Sequence, residues 1–123
     1  MRFEGYARLF VPIVFAGLPL ITPPRPAAGD THPWHLYVLR LADAAKTTRD
    51  GVIESLFAAG IGCSVHYIPL HLQPYWRDRY ALRAEQFPHS QHAYERMLSL
   101  PIYTRMSDAD VDRVIAALRP ALA

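Results

Sequence analysis

His35-Leu36-Tyr37-Val38-Leu39-Arg40-Leu41 is rich in aromatic and branched residues and contains no breaker. Side chains of that kind pack on a pleated, half-buried surface, so the run is expected to form a β-strand. A polar stretch, Asp43 to Thr48, follows it, and Thr47 or Thr48 can cap a helix reaching to about Ala59. Val52, Ile53, Leu56 and Phe57 fall on one face of that helix, and Gly60 supplies a left-handed stop. Gly62 to Tyr67 reads as a second short strand, closed by Pro69.

Downstream, Leu70 to Phe87 has no clean periodicity and is expected to be an irregular excursion. Pro88 can open a helix in which Ala93, Tyr94, Met97 and Leu98 face inward. Leu100 to Tyr103 reads as a third strand. Ser107 caps a last helix, with Asp110 in the capping-box position and Val111, Val114, Ile115 and Leu118 as the buried stripe; Pro120 ends it. Upstream, Phe3, Tyr6, Ala7, Phe10 and Val14 recur at helical spacing, and Pro12 should kink or end that helix. Thr22 to Asp30, with three prolines and Gly29, is a loop. The order predicts an α/β (α+β) fold: a small two-layer domain with about three strands and helices packed on them.

Hydrophobic residues make up 51% and charged residues 20%, the balance of a folded domain. The net charge of +2 gives no case for nucleic acid. A single cysteine, Cys63, excludes an internal disulfide and fits a reducing cytoplasm. The apolar run Leu9 to Ile21 lies behind Arg2 and Arg8, as in a signal peptide, but Glu4, Pro12 and Pro19 interrupt that pattern. It is also shorter than the roughly 20 residues of a membrane-spanning helix. The expectation is a core-packing helix and no membrane partner.

The chemistry-bearing stretch is Gly60-Ile61-Gly62-Cys63-Ser64-Val65-His66-Tyr67-Ile68-Pro69-Leu70-His71-Leu72-Gln73-Pro74-Tyr75. It combines a helix stop, a strand and a proline-fixed turn studded with His and Tyr, side chains that hydrogen-bond hydroxylated ligands while offering an apolar face. With Trp34 to Leu41, and with Leu98-Ser99-Leu100-Pro101-Ile102-Tyr103 followed by Met106-Ser107-Asp108-Ala109-Asp110, it resembles the C-terminal part of the DegT/DnrJ/StrS family of nucleotide-sugar aminotransferases. The resemblance runs from about Arg2 to the C-terminus.

The resemblance implies an aspartate-aminotransferase-like (type I) fold, homodimers, and pyridoxal phosphate as the cofactor that moves an amino group, typically from glutamate, onto a nucleotide-linked keto sugar. It implies that residues 1–123 are a single C-terminal small domain, with the large cofactor-binding domain, its lysine and its aspartate absent. His66, Tyr67 and His71 would line the entrance of the sugar-nucleotide site and orient the substrate. The partners implied are a nucleotide-sugar substrate and a large-domain or homo-oligomeric partner.

Lys46 is the only lysine, in a polar linker, and no Gly-rich phosphate cradle of Walker or dinucleotide type is present. The chain alone is therefore expected to bind no cofactor and not to transaminate. The alternative is a non-catalytic interaction module or remnant that self-associates. Tyr75, Trp76, Arg77, Arg79, Tyr80 and Arg83 interleave aromatic and basic groups, as nucleotide grips do. Asp78 and Glu85 dilute the field, which favours packing on a neighbouring domain or subunit. The family usually has glycine after the tyrosine where Ala81 stands. His89 and His92 lack a third metal ligand, and Cys63 reads as a buried strand thiol.

Overall fold

The structure, a computed structural model, describes residues 15–24, 26–30 and 32–123. The helix expected over Phe3 to Val14 lies outside the described residues. Three strands form one antiparallel sheet in chain order: β1 (Leu20–Ile21), β2 (Tyr37–Leu41) and β3 (Met97–Leu100). Among the described residues four helices accompany it: α1 (Arg49–Ala58), α2 (Pro74–Tyr80), α3 (Pro88–Arg96) and α4 (Asp108–Ala121). The expected two-layer α+β class is what the chain adopts.

Strand β2 is central, with Leu41 opposite Leu20 on one side and Tyr37 and Leu39 opposite Leu100 and Leu98 on the other. Its alternation puts Tyr37, Leu39 and Leu41 into the core, where they meet Val52 and Leu56 of α1 and Val111, Val114 and Leu118 of α4. Burial pushes the Tyr37 phenol up to about 12. Val38 and Arg40 point to the opposite face, which is half-buried to exposed.

Local chemistry explains the helix ends. Thr48 caps α1 by accepting from the Gly51 N–H at 3.1 Å. At its other end Gly60 has φ 73°, its N–H donates to Phe57 O, and the Ile61 N–H donates to Leu56 O. That is a Schellman arrangement, with Ile61 and Leu56 both buried across it. Arg113 of α4 donates to the Ala59 carbonyl at 2.8 Å, tying the two helices together. Ser107 and Asp110 form the expected capping box: each backbone N–H donates to the other's side chain, at 2.8 and 3.2 Å.

Several expectations are corrected. The third strand is Met97–Leu100, not Leu100 to Tyr103, because Pro101 has no N–H to extend the ladder. Met97 and Leu98 therefore belong to a strand and not to the preceding helix. Gly62 to Tyr67 contributes only an isolated bridge, Ser64 to Ser99, and the third place in the sheet goes to Leu20–Ile21. Leu70 to Phe87 is ordered as two 3-10 turns flanking α2. Phe57 is 77% exposed instead of inward, and Pro120 sits inside the last turn of α4.

Candidate functional site

Ser64 exchanges backbone hydrogen bonds with Ser99 at 3.3 and 2.7 Å, which anchors the start of the His- and Tyr-bearing segment to the free edge of β3. Antiparallel partners and residues two apart share a face. His66 therefore lies on the same face as Ser64 and Ser99, the one away from the helices. Its Nδ1 is 3.0 Å from Ser99 Oγ and 3.5 Å from Ser64 Oγ. Ser99, a residue only 4% exposed, thus holds the imidazole through its hydroxyl.

The segment then rises and returns as an arch. Tyr67 is 75% exposed, and Ile68 and Leu70 are exposed with it. Pro69 leads into a 3-10 turn over Leu70–Leu72, and Gln73 Nε2 donates to the Ile68 carbonyl. His71 descends into the structure: it is 4% exposed, stacked on Phe87 at 5.0 Å, and its Nε2 lies 2.8 Å from Gln91 Oε1 of α3. The arch is thus pinned to β3 by His66 and to α3 by His71, and Tyr67 is held up between them. The three residues singled out in the sequence do share one segment, but only Tyr67 is broadly open to solvent. Sequence reasoning missed Ser99 and Gln91. A serine between Leu98 and Leu100 in a buried strand, and a glutamine four residues before Glu95, were the available signals.

Helix α2 continues from the arch and buries no residue of its own. Tyr75, Trp76 and Tyr80 are exposed; Trp76 and Tyr80 stack at 5.8 Å, while Tyr75 meets Trp76 edge-on at 5.2 Å. Arg77 pairs with Asp78 at 2.8 Å, which holds that carboxyl below the usual carboxylate range.

Other candidates sit apart. His92 Nε2 is 3.0 Å from Asp43 Oδ1. That hydrogen bond, with Arg96 nearby, lowers the Asp43 pKa. Among the described residues no three His, Cys, Asp or Glu side chains come together as metal ligands. Burial pushes the Cys63 thiol up to about 11, which makes it a poor nucleophile. No described helix is long and apolar enough to cross a membrane.

Lys46, the one lysine of the sequence, does not fit the Schiff-base role that pyridoxal phosphate requires. A Schiff-base lysine needs an environment that desolvates its amine, whereas Lys46 is exposed on the loop between β2 and α1.

The family model of the DegT/DnrJ/EryC1/StrS aminotransferase family matches residues 10–119. Spore coat polysaccharide biosynthesis protein SpsC of Bacillus subtilis (strain 168) is 46% identical over 90 residues, covering 72% of this chain and 23% of that protein. Among solved structures, the putative sugar aminotransferase Spr1654 of Streptococcus pneumoniae superposes with a TM-score of 0.82 at 27% identity, over 98% of this chain and 29% of that one. That protein has been solved in PMP- and PLP-forms. DesV of S. venezuelae, solved with a ketimine intermediate, gives 0.76 at 31% identity, over 97% of this chain and 30% of that one. The chain thus spans between a quarter and a third of these solved relatives, and somewhat less than a quarter of SpsC.

Proposed function

Because the chain belongs to the DegT/DnrJ/EryC1/StrS aminotransferase family, we propose that it is the C-terminal small domain of a pyridoxal-phosphate-dependent aminotransferase acting on nucleotide-linked keto sugars. Its part is to supply one wall of the substrate site through His66, Tyr67 and His71, in a cytoplasmic enzyme. The domain does not transaminate by itself. The observation that carries this reading is the arch: a Tyr-tipped segment pinned at both ends, on a chain whose lone lysine is solvated. A preorganised segment of that kind binds without first losing the entropy of a free loop.

Two measurements test it. Adding pyridoxal phosphate to the purified chain should give no stable aldimine absorption band, since the one lysine, Lys46, is solvated. Co-expression with the large-domain segment of a relative such as SpsC should restore amino transfer, and Tyr67→Ala should weaken it. A band abolished by Lys46→Ala, or transfer by the isolated chain, would overturn the proposal. The exposed aromatics of α2 favour a second reading, a non-catalytic module that self-associates. Sedimentation of the chain alone separates the two: self-association with no response to the large-domain segment supports the second.

A further inference from the structure

We infer that Gln91 is a positioning residue that fixes the tautomer of His71, so that His71 presents a hydrogen-bond acceptor to the ligand. The inference rests on the reading of His71 as part of the substrate wall. Gln91 Nε2 donates to Glu95 Oε1 at 2.7 Å. An ionised carboxylate can only accept, so Glu95 claims the amide nitrogen of Gln91 and turns the amide oxygen towards His71.

That oxygen, 2.8 Å from His71 Nε2, can likewise only accept. Nε2 therefore carries the proton, and in the neutral imidazole Nδ1 is left with the lone pair. Phe87, stacked 17° from parallel, fixes the ring plane. Nδ1 makes no hydrogen bond among the described residues. None of their fully buried side-chain nitrogens or oxygens lacks a partner, so Nδ1 is reached by solvent. The edge offered outward is an acceptor. It suits a hydroxyl or N–H of a bound sugar and repels a phosphate or carboxylate oxygen. His71 is thereby assigned to the sugar's donors and not to a diphosphate.

The test uses the full 15N-labelled chain and long-range proton–nitrogen correlation of the histidine rings above pH 7.5. His71 is expected to show a protonated Nε2 and a bare Nδ1. Glu95→Ala, on the exposed side of α3, frees the amide to turn, and Gln91→Leu removes it. Each should raise the minor Nδ1–H population about fivefold, the factor one net hydrogen bond is worth. Gln91→Glu keeps an acceptor at Nε2 and should retain the native tautomer, and its contrast with Gln91→Leu, of similar bulk but without an acceptor, separates hydrogen bonding from space-filling. A wild-type His71 protonated on Nδ1, or an unchanged ratio in Glu95→Ala, would overturn the inference. Neither readout involves turnover, so failure of the tautomer assignment would leave the proposed enzyme class standing, whereas failure of the substrate-wall reading would leave the tautomer intact and remove only its role towards a ligand.

Discussion

Ala81 ends α2 with φ 49° and ψ 42°, in the left-handed region where a Cβ crowds the following carbonyl. Alanine at such a position is held there by its surroundings at a cost of about 1 kcal/mol. Ala81→Gly removes that crowding, offset in part by the greater freedom of glycine in the unfolded chain. The substitution is expected to stabilise the chain by up to about 0.5 kcal/mol, read as a higher urea midpoint at unchanged slope. Ala81→Val should move the midpoint the other way. At this scale the sequence showed where chemistry could gather but not how each side chain is used. His66, Tyr67 and His71 stood out by type. Which of them is tethered depends on Ser99 and Gln91, far away in the chain and unremarkable until the fold brings them close.

Helix α4 rests on its capping box. The Asp110 carboxyl is held below the usual carboxylate range, first by the Ser107 N–H and then by the Ser107 hydroxyl. A carboxylate whose folded pKa is depressed contributes stability above its unfolded value and loses it as pH falls through the folded one. Asp110→Asn should therefore flatten the acid limb of the stability curve below about pH 4 while leaving the alkaline limb unchanged. Ser107→Ala should lower stability by about 1 kcal/mol in urea denaturation at pH 7. The elements easiest to read were those combining a cap with an apolar stripe, namely α1, α4 and β2. Helix α2 was not legible because it buries nothing, so no periodicity marks it. Strand β3 was placed too late because Pro101, which has no N–H to extend the ladder, was included in it. The short strand β1 follows from pairing with Leu41 and Arg40, a long-range cause that leaves almost no local trace.

Among the described residues the core is mostly aliphatic, while Tyr67, Leu70, Tyr75 and Tyr80 are largely uncovered. Large aromatics that add little to the chain's own core are candidates for contact with another domain. Tyr75→Ala combined with Tyr80→Ala is expected to change the chain's stability by less than about 1 kcal/mol. The same pair should weaken association with a large-domain segment at least about tenfold, as loss of interface aromatics does. Calorimetric titration would measure the second effect and thermal unfolding the first. Equal loss in both would mean that these rings serve the core.

The pairing of β2 with β3 spans everything from Ala42 to Arg96, including three of the four helices. Two neighbouring strands so far apart along the chain must wait for the intervening polypeptide to collapse before their ladder can close. Refolding should then be limited by that closure, on a millisecond-to-second scale rather than the microseconds of a purely local helix bundle. The arch hangs from β3 through Ser64, so the Tyr67 segment acquires its shape only at the last step of assembly.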